Sequence, residues 1–133
     1  MTQIANIVLD CEGLSAWMTQ DRKTASLFKA LLHTKANLVV SANSIIEVTH
    51  AGTNMPRLNW ALSRIKVEPV TAELAKAAAK LLKDTGLHGH KYAIDATVAV
   101  TALNQPGPVA ILTSDVDDLT KLCDGQRVRI IPL

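Results

Sequence analysis

The sequence predicts an α/β fold in which helices cover both faces of a central parallel sheet. Short apolar segments of strand length alternate along the chain with longer segments whose apolar residues recur at helical spacing. This alternation is typical of parallel strands joined by right-handed helical crossovers. Hydrophobic residues make up 48% of the chain and aromatic residues only 3%, so Leu, Ile, Val and Ala must build the core. That composition suits helices packed on a buried parallel sheet.

Each predicted element has a local signal. The predicted strands, all short apolar or extended runs, are residues 4–9, 37–40, 66–69, 109–113 and 128–131. The predicted helical segments are a short turn at 14–18 and helices at 23–33, from 41 or 43 to about 50, 54–65, 73–85, 91–103 and 117–123.

Several helix ends are marked by residues that satisfy free backbone groups. The residues placed to cap a helix start are Ser41 or Asn43, Asn54 and Thr71. Pro56 suits the first turn of a helix, and Gly52 and Gly86 are placed to end helices. The run 106–108 (PGP) separates the helix at 91–103 from the strand that follows.

Length and cysteine content indicate a single domain, residues 1–133, in a reducing compartment. A chain of 133 residues is long enough for one hydrophobic core and too short for two. No stretch is long and apolar enough to cross a membrane, and the uncharged residues 1–9 lack the basic start of a signal peptide. Cys11 and Cys123 form no metal-spaced pair, so free thiols in the cytoplasm are expected.

Four carboxylates lie alone in apolar stretches: Asp10, Glu47, Asp95 and Asp115. A bare buried carboxylate is costly, so a stable fold keeps one only with a partner. Taken singly, each is explained as a helix cap, a helix-dipole charge or half of a salt bridge. No basic residue lies near them in sequence, however, and two of them follow strands whose carboxyl ends share one edge of the sheet. The four together therefore predict a site for a hard divalent cation, Mg²⁺ or Mn²⁺.

The charge balance allows a polyanionic substrate. The chain has 14 basic and 12 acidic residues, so four acids gathered in one pocket leave a basic remainder. A basic rim attracts a polyanion towards a bound cation, although solvated surface explains the same residues. Loose candidates for contacts with a nucleic-acid backbone are Lys23, Arg57, Arg64 and Lys91. His88 and His90 do not have zinc-site spacing and indicate a polar loop.

Four segments resemble the successive motifs of PIN-domain ribonucleases, and most of all those of VapC-like toxins. They are IVLDCEGLSAW, SIIEV, YAIDATVAVTAL and ILTSDVDDL, and together they extend the likeness over essentially the whole chain. The likeness assigns Asp10 to the first-strand acid, Glu47 to the helix acid and Asp95 to the acid of the D-A-x-x-A helix. Asp115 matches the acid of a T-x-D segment with Thr113 as its Thr, and Asp117 is placed to assist. Glu12 departs from the pattern, because the family usually has Ser or Thr there.

The resemblance implies more than the residues alone do. It implies a PIN-like three-layer α/β/α fold with strand order 3-2-1-4-5. It also implies Mg²⁺- or Mn²⁺-dependent endonucleolytic cleavage of RNA, often tRNA or ribosomal RNA, by an activated water. Asp10, Asp95 and Asp115, with Asp117, would hold the metal, and Glu47 would bind metal or orient the water. A homodimer and a cognate antitoxin are the implied partners. The apolar side of helix 55–65 is a candidate face for either, although plain core explains the same residues.

Two rival functions remain at this stage. A haloacid-dehalogenase-like phosphatase also has an aspartate after its first strand and a late acidic pair such as Asp117 and Asp118. Its nucleophile is normally followed two residues later by Asp, where this chain has Glu12, and its lysine motif is absent. The second rival is a non-catalytic PIN-like scaffold that binds RNA or a partner. It predicts that binding survives Asp10→Asn and that neither form cleaves RNA.

Overall fold

The computed structural model describes residues 3–133, and within them it confirms the predicted architecture. A five-stranded sheet, parallel throughout, has the order β3-β2-β1-β4-β5. The strands are β1 (Asn6–Leu9), β2 (Asn37–Ser41), β3 (Lys66–Glu68), β4 (Val109–Thr113) and β5 (Val128–Pro132). The helices are α1 (Cys11–Thr19), α2 (Arg22–His33), α3 (Ala42–Val48), α4 (Met55–Ser63), α5 (Ala72–Thr85), α6 (Gly89–Leu103) and α7 (Val116–Leu122). Met1 and Thr2, the start of the predicted uncharged N-terminal stretch, lie outside the described residues.

The strand side chains alternate between two cores, one on each face of the sheet. Val8, Val39 and Ile111 are fully buried in a core that α5, α6 and α7 complete. Their strand neighbours Leu9, Val40 and Leu112 belong to a second core, formed with α1, α2 and α4. Because successive strand residues point to opposite faces, apolar residues at consecutive positions require cover on both sides. The three-layer arrangement follows directly from these continuous apolar runs.

Most predicted elements have their expected positions, and α1 differs most. The sequence predicted only a turn at 14–18, whereas the helix runs from Cys11 to Thr19. It begins earlier because the Asp10 side chain accepts a hydrogen bond from the Gly13 backbone N–H and so caps the first turn. Helix α3 ends at Val48, two residues before the predicted end near residue 50. No helix in the described part of the chain has the length and apolarity needed to span a membrane.

Gly13 brings α1 unusually close to the sheet. A Cβ atom built on it would lie 2.8 Å from the Leu112 carbonyl oxygen and 3.2 Å from the Leu9 Cβ atom. Both neighbours belong to buried strands that cannot shift freely. The glycine therefore lowers the intrinsic helix propensity but permits α1 to start directly above the end of β1.

We expect Gly13→Ala to reduce the free energy of unfolding by about 1–3 kcal/mol, because overpacking against a strand outweighs the gain in helix propensity. Chemical denaturation of the purified protein measures this loss. Gly89→Ala is the matched control, since its added Cβ meets only the end of the Leu82 side chain at 3.9 Å. Equal stability of the Gly13→Ala variant and the wild type would contradict the close approach.

Candidate active site

Three polar side chains form a row across the carboxyl edge of the sheet. Leu9 pairs with Val40 on one side and with Leu112 on the other. The next residues of the three neighbouring strands are Asp10, Ser41 and Thr113, with exposed fractions of 3%, 0% and 0%. Because in-register residues of parallel strands point to the same face, this row forms a buried polar floor at the edge where ligands bind in such sheets.

Both carboxylate oxygens of Asp10 are held by hydrogen bonds. Oδ1 accepts from the backbone N–H of Gly13 at 2.8 Å, and Oδ2 accepts from the hydroxyl of Thr113. Burial raises the pKa of Asp10 above its ordinary value, and repulsion from Asp115 and Glu12 adds to the rise, while the two hydrogen bonds oppose it. Asp10 therefore caps α1 and is also held rigidly in a buried place that disfavours its negative charge.

Thr113 links two of the predicted acids. Its Oγ1 donates to Asp10 Oδ2 and accepts from the backbone N–H of Asp115 at 2.8 Å. A single hydroxyl therefore sets the spacing between the end of β1 and the residue that begins α7. Asp115 occupies the N-cap position of α7, but its side chain makes no capping hydrogen bond. The Asp115 carboxylate is exposed and remains available for another ligand.

Asp95 on α6 faces the same group of acids. Its pKa is raised from 3.8 to about 6, first by burial and then by the charges of Asp115, Glu47, Asp118 and Asp10. The four acids predicted from sequence therefore converge closely enough to repel one another. No Lys or Arg forms a salt bridge with any of them within residues 3–133. This is an acidic site without an internal counter-charge.

Glu47 approaches the site from α3, beside Cys11. The pKa of the Cys11 thiol is raised to about 12 by burial, by the charge of Glu47 and by that of Glu12, with further contributions from a hydrogen bond to Glu47 and from Asp10. Glu12 itself is exposed, and its charge acts on both Asp10 and Cys11. The residue that departs from the family pattern thus adds negative charge to the site.

The two acids that follow Asp115 differ in their relation to Asp95. Asp118, and not Asp117, is among the charges that raise the pKa of Asp95. Both follow Asp115 in the first turn of α7, where Asp118 is half-buried and Asp117 is exposed. One helical turn separates residues three apart, so Asp118 and Asp115 share a face of the chain that Asp117 does not. The spacing of three residues from Asp115 could have indicated Asp118 from the sequence. The T-x-D motif indicated Asp117 instead.

The donor set fits a hard divalent cation, although no ready-made cage is formed. In the described residues, no three His, Cys, Asp or Glu side chains are close enough together to hold a metal ion. Mg²⁺ commonly binds through one or two carboxylates, several waters and substrate phosphate, so it does not need such a cage. The raised pKa of Asp95 reports repulsion that a cation would relieve. The four acids offer carboxylate oxygens, which suit Mg²⁺ or Mn²⁺ better than a structural zinc site built from thiolates and imidazoles.

One buried hydroxyl beside the acids lacks a partner. Ser44 is fully buried, and its Oγ has no hydrogen-bond partner among the described residues. It is the one buried residue of α3, the helix that carries Glu47 and packs against α1 and α6. An unpaired buried hydroxyl costs about 1–3 kcal/mol, which makes this position unusual.

Two of the basic residues proposed for substrate contact, Arg57 and Arg64, lie beside the Trp60 ring of α4. Arg57 donates from Nε to the Met18 carbonyl at 2.6 Å and lies 4.2 Å from the Trp60 ring centroid. Arg64 lies 5.8 Å from the same ring. Both arginines therefore belong to the outer side of α4, which packs on the opposite face of the sheet from α6. Lys91 starts α6 beside Tyr92, in the same helix as Asp95.

Fold and site together define a three-layer α/β protein with an acidic site at the carboxyl edge of its sheet. The sequence matches the family model of the PIN domain over residues 7–124. The chain therefore belongs to the PIN domain family, whose members are generally nucleases.

Comparison with solved structures agrees with this fold, and 13 chains match. One belongs to the crystal structure of VapBC2 from Rickettsia felis bound to a DNA fragment from their promoter. The two chains are 13% identical, with a TM-score of 0.67, and the match covers 96% of this chain and 98% of the other. At that identity the likeness establishes a shared fold. No curated protein matched the sequence.

Proposed function

We propose that this protein is a metal-dependent endoribonuclease and the toxin of a toxin–antitoxin pair. The observation that carries the proposal is the convergence of Asp10, Glu47, Asp95 and Asp115 without an internal cation. A structural role would pair these acids with Lys or Arg, because unpaired carboxylates that repel one another reduce stability. Membership of the PIN domain family and the VapBC2-like fold add independent support.

We assign a role to each acid according to how rigidly its carboxylate is held. Asp10 is fixed at both oxygens and would be the permanent ligand of Mg²⁺, or of Mn²⁺ in its place. Asp95 and the exposed Asp115 would complete the binding set, with Asp118 or Asp117 assisting. Glu47 would bind the metal or orient the attacking water as a base. When bound, such a cation lowers the pKa of water and stabilises charge on the phosphate.

The products test this assignment. Water attack on the phosphodiester leaves a 5′-phosphate and a 3′-hydroxyl, whereas attack by the ribose 2′-hydroxyl leaves a 2′,3′-cyclic phosphate. We expect the downstream fragment of each cut to carry a 5′-phosphate that a 5′-phosphate-dependent exonuclease accepts, and the upstream fragment to end in a 3′-hydroxyl. Ligation-based sequencing of the fragment ends measures this directly and maps the target, which we propose to be tRNA or ribosomal RNA. Fragments ending in a cyclic phosphate would exclude the water mechanism.

A toxin of this kind requires protein partners, and α4 provides a surface for one. A groove of about 380 Å³ runs between α2, α4 and the start of β2, lined by Trp17, Leu32, Leu38, Trp60 and Arg64. We propose that this α4 face receives an apolar helix of the cognate antitoxin, as amphipathic helices enter apolar grooves. The exposed side chains of Ile46 and Met55 offer further apolar area for a homodimer contact. We place the protein in the cytoplasm, where both partners and RNA are accessible.

The rival functions have specific tests. Family membership favours the nuclease over a phosphatase, whose activity would require a phosphate group transferred to Asp10. A non-catalytic scaffold would bind RNA equally well before and after Asp10→Asn. The uncompensated charge of the site favours a catalytic metal over either alternative.

A further inference from the structure

We propose that Ser44 is a positioning residue that holds the Glu47 carboxylate when the site is loaded with a divalent cation. Ser44 has an exposed fraction of 0%, and its Oγ has no hydrogen-bond partner among residues 3–133. Glu47 lies three residues further along the same helix and is exposed. The inference deepens the proposed function and rests on it, because it concerns the acidic site described above.

Helical geometry places the two side chains within reach. Residues three apart on a helix lie on one face, with their Cβ atoms about 5–6 Å apart. A serine hydroxyl is both donor and acceptor, whereas an ionised carboxylate only accepts, so the pair is complementary. The Ser44 hydroxyl is enclosed and has no partner among the described residues, and Glu47 carries an acceptor carboxylate one turn further along the same helix. Glu47 is exposed, has no salt bridge in the described residues and shares a hydrogen bond only with the Cys11 thiol, so no cation holds it away from Ser44.

Electrostatics explains why the pair is not formed without a cation. The Glu47 charge acts on Asp95 and on Cys11, and Asp10 and Asp115 lie in the same group. Moving Glu47 inwards adds negative charge to a site that already repels it. A bound cation reverses this balance and lets the carboxylate approach Ser44. Cys11 on α1 and Ser44 on α3 would then hold Glu47 from two sides.

The test combines stability with metal affinity and uses the whole chain. Ser44→Ala removes an unpaired hydroxyl and places alanine in a helix, so the metal-free protein should unfold at the same temperature or a higher one. Its Mn²⁺ dissociation constant should rise about tenfold, or its single-turnover cleavage rate should fall about tenfold. This is the lower end of the range for residues that orient metal ligands. Isothermal titration with Mn²⁺ and thermal unfolding measure both. Ser63→Ala, which removes a hydroxyl bonded to the Trp60 carbonyl at the end of α4, is the control.

A double-mutant cycle decides whether Ser44 acts through Glu47. In a Glu47→Gln background, Ser44→Ala should have little further effect on Mn²⁺ affinity and on cleavage, because the partner charge is gone. Fully additive effects in both measurements, or a Ser44→Ala protein that equals the wild type, would overturn the inference while leaving the nuclease intact. A wild-type protein that neither binds Mn²⁺ nor cleaves RNA would overturn the proposed function itself, and the inference with it.

Discussion

The Asp95→Asn variant should lose at least about a hundredfold in RNA cleavage while becoming more stable in the metal-free form. The loss is expected because the substitution removes a charged oxygen ligand for the cation. The gain is expected because Asp95 is ionised near neutral pH in a place that disfavours its charge. Its pKa is raised from 3.8 to about 6 by burial and by four neighbouring acids. Opposite changes in activity and stability are typical of a functional site and not of a structural one.

The size of the stability gain follows from the pKa. A rise from 3.8 to about 6 corresponds to about 3 kcal/mol for a shielded group, and about half of that is expected since solvent reaches Asp95. Because the folded-state pKa is the higher one, the contribution of Asp95 to stability is fully present below about pH 4. It is lost as the pH rises through about 6.

Urea denaturation of the metal-free protein at pH 4 and pH 7.5 measures this dependence. The wild type and the Asp95→Asn variant should differ more at pH 7.5 than at pH 4. Asp84→Asn is the matched control, because Asp84 is an exposed helical acid paired with Lys80 at 2.5 Å. An Asp95→Asn protein that is less stable than the wild type at pH 7.5 would show that Asp95 has a structural partner.

The Thr113→Val variant should lose both stability and activity. Valine keeps the shape of threonine but removes the hydroxyl that donates to Asp10 and accepts from the Asp115 backbone. The Asp10 carboxylate and the Asp115 backbone N–H would then both lack the hydroxyl as a hydrogen-bond partner at the carboxyl edge of the sheet. We expect a loss of about 2–3 kcal/mol in unfolding free energy, the range for a buried hydrogen bond to a charged group. Cleavage should fall at least about tenfold, because Asp10 and Asp115 lose the hydroxyl that holds both of them in position.

Thr101→Val separates these two effects. Thr101 is also buried, and its hydroxyl donates to the Thr97 carbonyl at 2.7 Å within α6. Its substitution removes a buried hydrogen bond of ordinary kind, so stability should fall while the cleavage rate per folded molecule stays unchanged. Denaturation and single-turnover kinetics on the two variants provide the comparison. Equal cleavage by Thr113→Val and Thr101→Val would mean that Thr113 serves the fold alone.

The sequence predicted the elements well because their signals are local. Apolar runs gave the strands to within two residues, and the caps Ser41, Asn54 and Thr71 begin the helices that they were expected to begin. The start of α1 was missed because a glycine two residues into a helix weakens its pattern. Gly13 is explained only by the approach to the Leu112 carbonyl, a contact between residues about a hundred positions apart.

The acids of the candidate site could be singled out in the sequence for a similar reason, and their role as a site stays a prediction. Lone acids in apolar stretches are visible in the sequence without a structure. In the structure, the charges of Asp10, Glu47 and Asp115 all act on Asp95. Thr113 was named only as part of a T-x-D segment, and its hydrogen bonds to Asp10 and Asp115 depend on contacts between strands that residue order does not encode. The unpaired hydroxyl of Ser44 is a property of packing between three helices, and no pattern in the sequence indicates it.

Cleavage of total cellular RNA by the purified, antitoxin-free protein tests the central claim most directly. Reactions with Mg²⁺, with EDTA and with the Asp10→Asn variant should be compared. Asparagine keeps an oxygen that can cap α1, while it removes the charge and replaces the oxygen that accepts from Thr113 with an amide nitrogen. The account predicts discrete fragments with Mg²⁺, none with EDTA, and none from a variant whose folding matches the wild type. Identical fragments from Asp10→Asn, or no cleavage with Mg²⁺ or Mn²⁺ by the folded wild type, would contradict it.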